Sequence, residues 1–225
     1  AAVLSIYGKA FGQAFVLDWG PGLTAPFVEE LSKAAGFVLL LVLASRVIRS
    51  AFDGLVLGAF IGLGFQVFED VDYVINGAGS HFGADQGSAT TQMVLTRAAV
   101  GLTSHALYSA IFCMGLVWFI GRPGEPARRL RGLAFMLLAL ALHGSWDAVT
   151  ALSAGSAIGT ALVLVAIPAL AIIGFAIAFN WSAQRPRHWM RDLMAPEVSR
   201  GTITEDELVA LSGSHKQRKE YIRQA

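Results

Sequence analysis

The sequence predicts an all-α fold, a polytopic transmembrane helical bundle of about five spans with a short helical cytoplasmic tail. Composition is the first reason: of 225 residues 55% are hydrophobic and only 15% charged, with a mean hydropathy of +0.57. Length is the second, because several apolar runs reach the roughly 20 residues needed to cross about 30 Å of hydrocarbon. The third is charge placement, since Lys and Arg gather at alternate connections between those runs. The formal net charge of +1 says nothing about nucleic acid, but no basic patch is interleaved with aromatics away from the ends of the spans, so no nucleic-acid partner is expected.

The spans fall at about 25–47, 53–76, 92–121, 130–152 and 156–181. Pro26 suits the first turn of the first span, Asp53 caps the second, and Arg122-Pro123-Gly124 stops the third. Between the second and third lies a Gly/Ser/Asp loop from Gly77 to Thr90. Gly54, Gly58 and Gly62, at spacing four, form a small-residue packing stripe. Pro168 marks a kink in the fifth span. Lone Cys113, inside an apolar run, reads as inert packing, and Trp146 as an interfacial anchor.

Residues 1–24 form an external segment or the end of a preceding helix, since Lys9 and Asp18 argue against a clean span. They lack the charged n-region of a signal peptide, so the chain reads as processed or truncated. Residues 25–182 are the membrane core and 183–225 the tail, in which Thr204-Glu205-Asp206-Glu207 has the form of a capping box.

Orientation follows from the basic residues. Arg46 and Arg49, then Arg122, Arg128, Arg129 and Arg131, then Arg185, Arg187 and Arg191 mark the cytoplasmic side. The expected localisation is the cell membrane, multi-pass, with the C-terminal tail cytoplasmic and the 77–90 loop outside.

Ionisable residues within spans are expensive and usually functional. The first span has Glu29, Glu30 and Lys33; Lys33 reaches Glu29 at i+4 or Glu30 at i+3, and because the two acids point about 100° apart, one pairs with Lys33 while the other faces a cavity. The second has Glu69 after Phe65, with Asp70 and Asp72 nearer solvent. The third has His105 and, closer to the outside, Arg97, which suits an acid from another helix or a substrate carbonyl. The fourth has His143 and Asp147 on one face. At about 1.5 Å per residue, Glu29, Glu69, His143 and Asp147 all lie within roughly 6–13 Å of the outer boundary and His105 somewhat deeper, so four helices bring their polar groups to one level. The expectation is a polar pocket in the outer leaflet.

In that order on successive helices, Glu29-Glu30-x-x-Lys33, Phe65-x-x-x-Glu69, His105 and His143-x-x-x-Asp147 resemble the PrsW-type intramembrane proteases, relatives of the type II CAAX prenyl proteases and ABI proteins. Those relatives carry arginine and histidine where Lys33 and Glu69 stand here, which favours the PrsW branch. The resemblance covers about residues 24–150. It implies an intramembrane endopeptidase that hydrolyses single-span membrane proteins, membrane-anchored anti-sigma factors among them, with a glutamate-activated water. Glu29 or Glu30 would be the general base and Glu69 would hold the water. His105 and His143 would donate to the oxyanion, Asp147 would orient them, and Lys33 and Arg97 would support the site. No cofactor is expected on this reading.

The alternative is a zinc-dependent membrane hydrolase with the metal held by Glu29, Glu69, His105, His143 and Asp147, although no H-E-x-x-H motif is present. A proton or cation transporter would use the same carboxylate-histidine cluster. Its path should reach both faces, whereas the inner halves of the first, second and fourth spans are almost purely apolar.

Overall fold

The computed structural model describes residues 2–101, 103–123 and 125–224, with every side chain among them but that of Val100. It forms two compact units, Ala1–Ala178 and Phe179–Ala225. The described residues form an all-α bundle without strands.

In the first unit α1 (Ala2–Phe11) turns at Gly12, whose φ of +90° only glycine adopts easily, into α2 (Gln13–Leu43). Tyr7 packs edge-on against Phe15 across this turn, ring centroids 6.3 Å apart. Pro26 lies inside α2, not in a first turn. Its missing N–H leaves the Gly22 carbonyl without an i+4 donor, and the crossing helix approaches there: a Cβ on Gly144 would stand 2.6 Å from that oxygen. The close crossing relies on glycine at both 22 and 144.

Helix α3 (Ala51–Ser80) opens with a full capping box. Ser50 is the N-cap and Asp53 its partner at the third helical position, so Asp53 serves the helix start as partner to the cap. The helix continues past 76 to Ser80, and α4 (Gln86–Gly101) begins early, which shrinks the expected 77–90 loop to a turn over 81–85. Glycine in this stretch only weakens a helix by about 1 kcal/mol each and does not break it as proline would.

The expected third span is divided. After α4 the chain leaves helical geometry at Ser104 (φ −112°, ψ −115°) and restarts as α5 (His105–Ile120). Irregular backbone at membrane depth persists only where protein satisfies it. Here Ser104 Oγ donates to Gln66 Oε1 at 2.5 Å and lies 3.1 Å from the Gly101 carbonyl. The interruption makes His105 the first residue of α5.

Helix α5 is the axis of the unit and is buried on most sides. The Gly54/Gly58/Gly62 stripe of α3 lies against it: a Cβ at Gly54 would stand 3.0 Å from the Cys113 carbonyl, and at Gly62 it would overlap the His105 carbonyl. Buried Cys113 is packing here. Gly121 (φ +83°) ends α5, Arg122 and Glu125 pair through their backbones, and Gly124 lies outside the described residues. Buried Glu125 accepts from Trp118 Nε1 at 3.2 Å and from the Ala51 N–H at 3.3 Å, tying this connection to the start of α3.

The expected fourth span is α6 (Arg129–Asp147) followed by α7 (Val149–Ser153); Trp146 packs on the hydrophobic core instead of standing as an interfacial anchor. Helix α8 (Ala157–Ser182) contains Pro168. α3 and the run starting at Ala157 are long and apolar enough to cross a membrane, and Ala2–Phe11 and His105–Ile120 are shorter apolar helices.

The second unit holds the end of α8, α9 (Gln184–Ser199), α10 (Glu205–Ser212) and α11 (His215–Gln224), where one short helix was expected. The Thr204/Glu207 capping box is present, with the Thr204 N–H donating to Glu207 at 2.7 Å. Those hydrogen bonds hold the Glu207 carboxyl below its ordinary pKa.

Candidate active site

Five helices, α2 to α6, deliver the polar groups to one place. Adjacent acids on α2 diverge, and the structure gives them different surroundings. Glu30 is fully buried and fully partnered: Lys33 Nζ donates to Oε1 at 2.8 Å, Ser109 Oγ donates to Oε2 at 2.9 Å, and His143 Nδ1 stands 3.1 Å from Oε1. Glu29 is half-buried, and its Oε2 lacks any hydrogen-bond partner. Around that oxygen stand His143 Nε2 at 3.6 Å, His105 Nδ1 at 3.7 Å and Lys33 Nζ at 3.6 Å.

Each imidazole has one nitrogen turned outward to a carboxylate and one turned inward to Glu29. A carboxylate only accepts, so the outward nitrogens carry the protons: His143 Nδ1–H toward Glu30, and His105 Nε2–H toward Glu69 Oε2 at 3.1 Å. The inward nitrogens are then lone pairs. His105 Nδ1 accepts from Lys33 Nζ at 2.8 Å, whereas His143 Nε2 has no partner. Asp147 Oδ2, 3.4 Å from His143 Nε2, is likewise buried and unpartnered. It is thus Glu30 that sits at the outward nitrogen of His143, and Asp147 that sits at the inward one.

Glu69 is held in turn. Arg97 of α4 donates to Glu69 and, through Nε, to Asp70 at 2.6 Å, and its guanidinium lies 4.3 Å from the Tyr73 ring centre. Gln66 Nε2 also donates to Asp70 at 2.7 Å. Asp70, expected to be solvated, is therefore bound by Arg97 and Gln66. Asp72 stays exposed with Asn76. The Lys33 ammonium rests 4.0 Å from the Phe65 ring centre.

All the residues singled out in the sequence, Glu29, Glu30, Lys33, Glu69, Arg97, His105, His143 and Asp147, join this one connected cluster. Sequence reasoning missed Gln66, Ser104, Tyr108 and Ser109. The signal was helical spacing: Gln66 precedes Glu69 by three, and Tyr108 and Ser109 follow His105 by three and four. Tyr108 is fully buried, stacked on His143 with centroids 5.2 Å apart and planes at 20°.

Glu29, His105 and His143 also offer three ligand atoms within 4.8 Å of one another, a group that could hold a metal ion. The donor set suits one. Two lone-pair imidazole nitrogens and a carboxylate oxygen match the preferences of zinc, and each imidazole is oriented from behind by a carboxylate, as metal-ligating histidines are.

No curated protein and no solved structure matches the chain. A family model does: that of the PrsW family intramembrane metalloproteases matches residues 1–173, the region that carries every residue of the cluster. With 173 of its 225 residues accounted for in this way, the chain belongs to the PrsW family of intramembrane proteases.

Proposed function

We propose that this protease is metal-dependent, with Glu29, His105 and His143 holding a divalent cation, zinc by donor chemistry, and that it cleaves single-span membrane proteins at a pocket opening to the outer leaflet. The observation that carries the reading is the pair of unpartnered buried atoms, Glu29 Oε2 and His143 Nε2, facing each other at 3.6 Å while the outward nitrogens of both histidines are tied to carboxylates. Leaving lone pairs buried without a donor costs about 1–3 kcal/mol each, which a cation or a bound water repays. When bound, the cation supplies Lewis-acid polarisation of the peptide carbonyl and a more acidic water.

The chain's own residues supply the rest. Glu30 and Glu69 fix the tautomer and ring orientation of His143 and His105. Ser109 and Lys33 hold Glu30 in place, and Arg97 does the same for Glu69. Asp147 Oδ2, beside His143 Nε2, takes the proton of the attacking water and later gives it to the leaving amine. Substrates of this class include membrane-anchored anti-sigma factors, since an outward-facing pocket suits release of an extracytoplasmic domain.

A second reading has its own observation. Lys33 Nζ occupies His105 Nδ1 at 2.8 Å, the nitrogen a cation needs, and so already places a positive charge within the cluster. On that reading Glu29 acts as general base on a water with no metal, and the histidines stabilise the oxyanion. Detergent-purified protein, assayed on a panel of single-span substrates, separates the two. The metal reading expects chelation to stop cleavage and added zinc to restore it; cleavage that survives exhaustive chelation establishes the metal-free route. No cleavage from wild type under any metal condition, with Glu29→Gln equally silent, would favour the transporter alternative.

A further inference from the structure

Among the described residues four buried side-chain atoms lack a hydrogen-bond partner: Glu29 Oε2, His143 Nε2, Asp147 Oδ2 and the Tyr108 hydroxyl. Three belong to residues that define the site, and the fourth packs on it. The Tyr108 ring stacks on His143 at 5.2 Å and stands edge-on to His105 at 6.4 Å, with planes at 79°. No hydrogen bond joins the Tyr108 hydroxyl to Glu30, whose oxygens meet Lys33, His143 and Ser109.

The four atoms differ in kind. With the tautomers fixed by Glu30 and Glu69, Glu29 Oε2, His143 Nε2 and Asp147 Oδ2 are acceptors, and Tyr108 is the one donor among them. Lys33 is also a donor, but it is engaged by Glu30 and His105. A buried phenol that needs only to fill space gains nothing from its hydroxyl and loses by leaving it dry. Peptide hydrolysis requires acceptors for the water and at least one donor for the carbonyl oxygen.

We infer that Tyr108 is a further catalytic residue, whose hydroxyl donates a hydrogen bond to the scissile carbonyl oxygen and to the oxyanion it becomes. The inference rests on the protease reading and deepens it. Water oxygen bonds to the carbonyl carbon, the carbonyl π pair moves onto the oxygen facing Tyr108, and the water proton goes to Asp147. Collapse re-forms the carbonyl and breaks the C–N bond, and the leaving amine takes that proton. Tyr108 keeps its own proton throughout and shifts no charge.

The test is Tyr108→Phe, which keeps the stacking surface and removes only the donor. Four readouts on purified protein are compared with wild type: thermal unfolding, bound zinc, cleavage of a single-span substrate, and affinity for a phosphinate analogue of the same peptide, whose anionic oxygen mimics the oxyanion. Expected are unchanged zinc content and KM, kcat lower by about 10²-fold, and analogue affinity lower by a similar factor while substrate affinity is retained. Unchanged kcat and analogue affinity would overturn the assignment. So would a parallel loss of zinc or folding in Tyr108→Phe, with analogue affinity per loaded enzyme unchanged, since the hydroxyl would then be structural. Failure of wild type itself to cleave would count against the protease reading, a result distinguishable from either.

Discussion

The two adjacent glutamates illustrate how a single residue's role is set by what faces it. Glu30 has three partners and Glu29 Oε2 has none, so the same chemical group serves as a brace in one case and stands as an open acceptor in the other. Glu29→Gln removes the inward anion while sparing the packing around Glu30, so folding should persist while cleavage falls below detection in a reconstituted assay. Glu30→Gln instead loosens Lys33, Ser109 and His143 together and should lower thermal stability as well as activity, since it leaves a buried ammonium short of its counter-ion. Arg97 acts at one remove by holding Glu69 behind His105. Arg97→Ala should cost about 10–100-fold in zinc affinity, read by competition with a chromophoric chelator, without abolishing it. At this scale much was legible: each ionisable residue within an apolar run marked a member of the cluster. The neutral members, Gln66, Ser104, Tyr108 and Ser109, were not, because hydroxyl and amide side chains inside helices are common and carry no cost that makes them conspicuous.

Helices, in turn, bring these residues together through glycine. The stripe at Gly54, Gly58 and Gly62 was readable from spacing alone, and its effect is to bring α3 against the α5 backbone, Gly62 touching the carbonyl of His105 itself. Gly62→Val should therefore push α5 away at its first residue, His105. The expected result is a loss of about 1–3 kcal/mol or more in unfolding of the solubilised protein, accompanied by lost zinc binding. What the sequence could not show was the interruption at 103–104. The stretch contains no proline, and the break is held by tertiary contacts of Ser104 with Gln66, which single-chain periodicity does not register. The extension of α2 through Pro21 and Pro26 was hidden for a related reason, since the freed carbonyl of Gly22 is accommodated by a glycine more than a hundred residues away. In the tail the capping box was visible directly, and Thr204→Ala should destabilise α10 by about 0.5–2 kcal/mol, measurable by amide exchange. Because Glu207 has a lowered pKa in the folded state, its capping contribution is present above the unfolded-state value near 4.3 and is lost as pH falls through the folded one.

Across the whole molecule, the bundle is organised so that polar residues from α2, α3, α4, α5 and α6 join one ion-pair cluster while apolar side chains cover much of the outside, with Leu39, Phe60, Phe68, Leu130 and Val165 among those exposed. Such a surface suits lipid. By the positive-inside rule, the Arg-rich connections at 46–49, 122–131 and 185–191 predict a cytoplasmic tail. Buried Cys113 leaves a quiet background for cysteine labelling in intact cells. Ser88→Cys should react with an impermeant maleimide and Ser199→Cys should not; the reverse pattern would turn the pocket toward the inner leaflet. A single metal site of Glu29, His105 and His143 is decided by the zinc content of the purified protein beside its Glu29→Gln, His105→Ala and His143→Ala variants. It predicts one zinc per wild-type chain and loss of that zinc in each folded variant. A wild-type chain that cleaves substrate with no bound metal, or zinc retained in full by all three variants, would contradict it.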